Sequence, residues 1–140
     1  MFSSTITLFN FDEPNDKYYS TLITNAELQP NYRTKFDYNR TEDTDISLLI
    51  IKYLVTGGEK QTYGNIKSFR TPKLWINLSS ADKQIYFTFQ EGRDFFAIGD
   101  FTAVTDIDYE VFKDANDGVF FIHEVKDFGD DLKHWEITGY

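Results

Sequence analysis

Apolar and polar positions alternate in short runs through much of the chain. Two such runs meet in Ile85 to Asp100, IYFTFQEGRDFFAIGD. Ile85–Phe89 and Phe95–Ile98 flank the polar break Gln90-Glu91-Gly92-Arg93-Asp94. Tyr86, Thr88, Phe96 and Ile98 fall on one alternation; Phe87, Phe89, Phe95 and Ala97 fall on the other. Aromatic and β-branched residues suit a pleated surface, and the glycine-bearing break supplies a turn, so the stretch predicts a hairpin. Both of its faces are apolar, which predicts burial between other elements. The pattern defines a β-built module and carries no chemistry.

Further strands are expected on either side. Thr5–Phe11 sets Ile6 and Leu8 on one face and Thr5, Thr7 and Phe9 on the other. The turn cluster Asp12-Glu13-Pro14-Asn15-Asp16 follows, and Lys17–Thr24 returns as a second strand. Ile46–Val55, ISLLIIKYLV, is apolar on both alternations and reads as a central strand, ended by Gly57-Gly58. Thr62–Phe69 reads as another short strand. Val119–Val125 and Lys133–Thr138 read as the last two, with Lys126–Leu132 as the loop between them.

Two short helices interrupt the strands. Thr71 before Pro72 is a helix-start signal, and Leu74, Trp75 and Leu78 follow at helical spacing. Ser79–Gln84 reads as a polar connector. Thr105 is the expected cap of the second helix, with Asp108 three residues on as an acidic capping box. Ile107, Val111 and Ala115 then form a stripe beside Phe112, and Asn116-Asp117-Gly118 is the stop.

Gln29–Asp45, QPNYRTKFDYNRTEDTD, has no sustained period. Irregular segments beyond about 12–15 residues are uncommon in compact domains and are often functional or disordered. Here Arg33, Lys35 and Arg40 interleave with Tyr32, Phe36 and Tyr38, a mixture that can mark a single-stranded nucleic-acid surface; a segment that orders only against a partner and an ordinary strand are the other readings. Asp37, Glu42, Asp43 and Asp45 nearly cancel the charge. The expected fold is therefore mainly β: a small β-barrel or sandwich with two short helices and a long internal loop. The expected core includes Ile6, Leu8, Leu48, Ile50, Leu54, Phe87, Phe89, Phe96, Ile98, Phe121 and Ile137.

At 140 residues the chain predicts one domain, 1–140, able to bury a single core. A 41% hydrophobic content excludes wholesale disorder. There is no cysteine, so disulfides and thiolate chemistry are excluded. No apolar run exceeds four residues, and Leu48–Ile51 stops at Lys52, far short of the roughly 20 residues of a membrane span. The opening MFSSTITLFNFDEP has no basic stretch and turns acidic, so it reads as a first strand rather than a signal peptide.

Charge is unevenly distributed. Residues 1–90 hold 10 acids and 10 bases, whereas residues 91–140 hold 13 acids against 4 bases and carry the whole net −9. An acidic surface repels phosphate backbones, which disfavours nucleic-acid binding there; the charge serves solubility or forms a face that meets a basic partner. Asp130 and Asp131 are the candidate contact residues in this third.

Sites for catalysis or metal are not evident. His123 and His134 would approach each other only if the final hairpin paired them, and zinc would need further carboxylates. Asp114, Asn116, Asp117 and Gly118 miss the calcium-loop spacing and fit a helix stop. No nucleophile elbow, P-loop or dinucleotide fingerprint is present. No catalytic residue, cofactor or metal is therefore assigned.

The order of segments resembles a known group. The MFSSTITLFNF strand, the TPKLW segment, YFTFQEGRDFFAIGD and the closing DGVFFIHEVKDFGDDLKHWEITGY resemble small structural proteins from the head-to-tail region of tailed phages and prophages of Gram-positive bacteria. The matching segments cover about two fifths of the chain. The resemblance implies a non-enzymatic neck component of the head-closure, or minor capsid, type. Such a protein is a small β-barrel assembling into a ring, often of six copies, between portal-connector and tail. Its partners would be copies of itself, the portal-connector and tail proteins, with DNA in passage and no membrane. It would be made in the host cytoplasm and reside in the virion. Gln29–Asp45 would be the loop facing the channel. A tail-completion ring protein, an acidic inhibitor of a basic enzyme and a small enzyme are the competing readings.

Overall fold

A computed structural model describes residues 3–30 and 46–140. The first strand, β1 (Ser4–Asp12), turns through a 3-10 helix at Glu13–Asn15 into β2 (Lys17–Gln29). Asp16 closes that turn in the left-handed region, at φ 49°, and Asn15 Nδ2 donates to Asp12 Oδ2. β3 (Ser47–Thr56) and β4 (Glu59–Thr62) form a hairpin whose two-residue loop is Gly57-Gly58. Both glycines have positive φ, as the tight hairpin turn requires. Next come β5 (Ser68–Phe69), α1 (Pro72–Trp75), β6 (Tyr86–Phe87), β7 (Phe95–Ile98), α2 (Tyr109–Ala115), β8 (Val119–Phe128) and β9 (His134–Gly139).

Six strands close a barrel. β1 pairs with β2 and β7, β7 with β8, β8 with β9, β9 with β3, and β3 returns to β2, all antiparallel. Closure leaves this set with no free sheet edge along the circuit. The expected mainly-β architecture, with a barrel and two short helices, is what the chain adopts. Beyond Tyr53, β3 leaves the barrel to pair with β4, which pairs with β5, and β5 pairs in parallel with β6. This smaller sheet is a flap on the barrel.

Side chains sort into two layers. Ile6, Leu8, Ile23, Leu49, Ile51, Phe96, Ile122, Trp135 and Ile137 fill the interior, joined by Phe87 and Phe89. Phe9, Phe95, Ala97 and Val119 point the other way and are covered by Phe101, Tyr109 and Phe112 around α2. Phe9 stacks on Phe95 with ring centroids 4.6 Å apart. The alternation of β1 and β7 thus feeds both layers. At His123 a bulge shifts the β8–β9 register and re-aims the strand, so that Val125 packs against the interior.

The structure corrects several expectations. The runs around Tyr86 and Phe95 do not form a hairpin: β6 joins β5 in the flap, while β7 inserts between β1 and β8. β7 is apolar on both faces because Phe96 packs in the interior while Phe95 and Ala97 pack in the outer layer; the earlier run gives Phe87 and Phe89 to the interior and leaves Ile85 exposed. Leu54 is 49% exposed because β3 has left the barrel there; the inward side chains are Leu49, Ile51 and Tyr53. Ile98 is 41% exposed because β7 ends there and Gly99 turns the chain away. Ile50 is half-buried, and Phe121 packs in the outer layer rather than the interior. The second strand runs on past Thr24 to Gln29. The region read as one strand over Thr62–Phe69 is divided between β4 and β5. The second helix is capped by Asp108, which accepts from Val111 N, and not by Thr105. Asp106 lies at φ 54°, outside helical space, so the helix cannot begin as early as Thr105 would place it. Thr71 stands at the N-cap of α1 with Pro72 following, but its hydroxyl makes no capping bond.

Candidate functional site

Polar residues first serve the fold itself. Asp94 is fully buried and receives four N–H donors: Phe11 N on Oδ1 at 2.8 Å, Gln90 N on Oδ2 at 2.8 Å, Asn10 Nδ2 on Oδ2 at 2.8 Å and Gln90 Nε2 on Oδ1 at 2.9 Å. Burial pushes its carboxyl up to about 7, against the pull of those donors. Asp12 and Lys83 form a second buried pair. Lys83 Nζ lies 3.0 Å from Asp12 Oδ1, close enough for charge attraction but off hydrogen-bond geometry. Lys83 Nζ also sits 5.3 Å from the Trp75 ring centre. These groups stitch β1 to the 82–94 segment.

Lys67 is different because it faces a cleft. Its Nζ donates to Ser20 O at 2.6 Å and to Thr21 Oγ1 at 3.0 Å. No carboxylate among the described residues pairs with it, and burial pulls its amine down to about 8. The cleft, of about 810 Å³, is walled also by Lys17, Tyr18, Asp16, Thr102 and Asp106. No sequence pattern marked Lys67, since its partners lie 46 and 47 residues away.

The predicted contact residues Asp130 and Asp131 stand exposed in the β8–β9 turn. They line a cleft of about 560 Å³ with Tyr53, Val55, Lys60, Asp127, Phe128 and Leu132. At its base Asp127 accepts from Tyr53 Oη at 2.7 Å and from Lys60 Nζ at 2.6 Å. Burial and the Asp127 charge raise the Tyr53 hydroxyl to about 12, so it stays a donor. Gly129 packs so close to Tyr53 that an added Cβ would lie 2.5 Å from its hydroxyl. Val55, Phe128 and Leu132 are all exposed around this ion pair. The face therefore combines apolar surface with Asp130 and Asp131, which have no cationic partner among the described residues. The apolar members were not predicted. The available signal was Leu132, an apolar residue in an otherwise Asp-, Gly- and Lys-rich turn.

The other six predicted contact residues, Tyr32, Arg33, Lys35, Phe36, Tyr38 and Arg40, lie outside the described residues. The two histidines are not brought together. His134 stands opposite Phe128, with Nε2 3.0 Å from Glu136 Oε2, whereas His123 lies in the bulge beside Tyr140. Among the described residues no three His, Asp or Glu side chains converge as metal ligands. No helix among them is long and apolar enough to cross a membrane.

The fold and this face define a small antiparallel β-barrel protein with a flap and an acidic, apolar-bearing end. Its sequence matches a family model over residues 1–140, and the chain belongs to that family, the family of unknown function DUF6751. No curated protein and no solved structure matches it.

Proposed function

We propose that this protein is a non-enzymatic structural component of a phage-type particle, of the neck or head-closure type. In this reading it assembles into a ring between portal-connector and tail and docks through the face around Asp130, Asp131 and Leu132. The observation that carries the docking role is the pairing of exposed Val55, Phe128 and Leu132 with two carboxylates that lack a cationic partner. Contiguous apolar surface rimmed by charge is the usual anatomy of a protein interface. Its acidity selects a basic partner and disfavours nucleic acid. The ring and the virion rest on the resemblance of the segment order, with which a small closed barrel is compatible. An acidic inhibitor that binds a basic enzyme would use the same face, so partner identity separates the two.

Purified particles from a host carrying the gene provide the test. The protein is expected among the virion proteins, and Asp130→Lys with Asp131→Lys is expected to weaken its incorporation while leaving its melting temperature unchanged. Absence from particles would overturn the virion reading. Undiminished incorporation of a folded double variant would overturn the docking face.

A further inference from the structure

A third cleft, of about 560 Å³, lies between the flap and the 89–93 turn. Phe69, Phe89 and Trp135 form one wall, with ring centroids 5.0 to 5.8 Å apart. Phe69 is the ring of the three that stays partly exposed. Two acceptors stand beside this aromatic surface without donors to match. Gln90 is only 6% exposed, and its Nε2 donates inward to Phe11 O and to Asp94 Oδ1, both at 2.9 Å. The opposite end of the amide, Oε1, receives no donor among the described residues. Glu91 accepts Val125 N at 2.9 Å on one oxygen and has no cationic partner among them. The cations of the cleft are already committed, Lys60 to Asp127 and Arg93 to Glu13.

We infer that this cleft is a receptor for a guanidinium group, the side chain of an arginine presented by a partner protein. A guanidinium is flat, stacks on an aromatic ring and donates several N–H bonds in its plane, which suits Phe69, Gln90 Oε1 and the Glu91 carboxylate together. An anion would meet Glu91 unfavourably. An uncharged apolar group would leave both acceptors unanswered. A partner protein is the source because Lys60 and Asp127 line both this cleft and the one beside Asp130 and Asp131. An arginine at the edge of a chain docked on that face therefore reaches it. The source rests on the docking reading; the guanidinium chemistry does not.

The test is an NMR titration of the intact protein with N-acetyl-arginine methylamide, with its norleucine counterpart as the uncharged control and agmatine as the free small cation. The arginine amide is expected to shift the amide signals of Phe69, Gln90, Glu91 and Val125, and the norleucine compound is not. Glu91→Gln keeps the acceptor for Val125 N and removes the charge, so it is expected to weaken binding about tenfold, the scale of one charge-assisted hydrogen bond. Phe69→Leu, checked for an unchanged fold by its spectrum, is expected to weaken it as well. No shifts, equal binding by Glu91→Gln, or equal binding of the norleucine control would overturn the guanidinium site. Binding of agmatine but not of the arginine amide would overturn the partner-borne source. Asp130→Lys with Asp131→Lys is expected to leave probe binding intact, so failure of the docking face and failure of this cleft are read separately.

Discussion

Asn10 occupies a position where the pattern of β1 calls for an apolar side chain. It follows Ile6 and Leu8 on the inward face and is buried. Its Nδ2 donates to Thr88 O at 2.6 Å, and its Oδ1 accepts Thr88 N at 3.2 Å. Thr88 is buried and lies outside any strand, so one side-chain amide replaces the strand that would otherwise pair with it. Asn10→Ala would orphan both backbone groups of Thr88. Each buried unsatisfied group costs about 1–3 kcal/mol, so the expected loss is about 2–6 kcal/mol. That is a large share of a domain's typical stability of about 5–15 kcal/mol. Asn10→Leu is the sharper test. Burying a leucine contributes about 1.5–3 kcal/mol, which offsets only part of the two orphaned groups at mid-range values, so a net loss of about 1–3 kcal/mol is expected. Asn10→Asp nearly keeps the shape but turns an oxygen towards the Thr88 carbonyl and the Asp94 carboxylate, and is expected to be no better than alanine. Urea unfolding measures all three, with the midpoint falling at constant slope. A leucine variant as stable as the wild type would refute the reasoning, because it would show that Asn10 serves only to fill space.

Other outcomes follow from the same geometry. Phe87→Ala, in the barrel interior, is expected to cost about 3–5 kcal/mol, whereas Leu54→Ala, on the projecting hairpin, should stay within about 0.5 kcal/mol; similar melting temperatures for the two would contradict the layer assignment. The Asp94 carboxyl is raised from 3.8 to about 7 in the folded state, so the fold holds its proton more tightly than the unfolded chain does. Its contribution to stability is full below about pH 4 and is lost as pH rises through about 7. Denaturant midpoints of wild type and Asp94→Asn should therefore converge or cross as pH rises over that window, and parallel profiles would sink the assignment. Lys67, with its amine at about 8, should be the lysine acylated first by a water-soluble ester near neutral pH, as peptide mapping would read; a reactivity no greater than that of exposed Lys73 would count against it.

The strands of the barrel were legible because their alternation is strong, yet the layers were not. β3 is apolar on both alternations, and choosing Ile50 and Leu54 over Leu49, Ile51 and Tyr53 selected the face that turns away from the interior, although Leu48 on that face is itself buried. Lys52 carried the answer, since it shares the alternation of Leu48 and Ile50 and stands exposed. The aromatic runs around Tyr86 and Phe95 were read as neighbours because only five residues separate them. Asn10 and Asp94 hold that break against β1, 78 to 84 residues away, which local turn signals do not report. Asp130 and Asp131 were found through charge asymmetry, but Val55 reaches their cleft from another hairpin, and such convergence leaves no mark in the order of residues.

A shifted titratable group is commonly a guide to function, and here the two clearest cases point in different directions. Asp94 is perturbed because it is sealed: four N–H groups occupy its oxygens, and neither solvent nor a ligand touches it unless the barrel opens. Its environment explains it as a stitch between β1 and the chain that leads into β7. Lys67 has only two acceptors for three protons, no compensating carboxylate among the described residues, and a cleft beside it. The same electrostatic signal therefore separates on hydrogen-bond satisfaction and access. Applied to the acids of the last third, that criterion removes Asp94 as buried, Asp108 as a helix cap and Asp127 as an ion-pair base. Of the acids that line the clefts beside β8, Glu91, Asp130 and Asp131 remain exposed and without a cationic partner among the described residues. These are the carboxylates on which a basic partner would gain most, because their charge is not already answered by the protein's own structure.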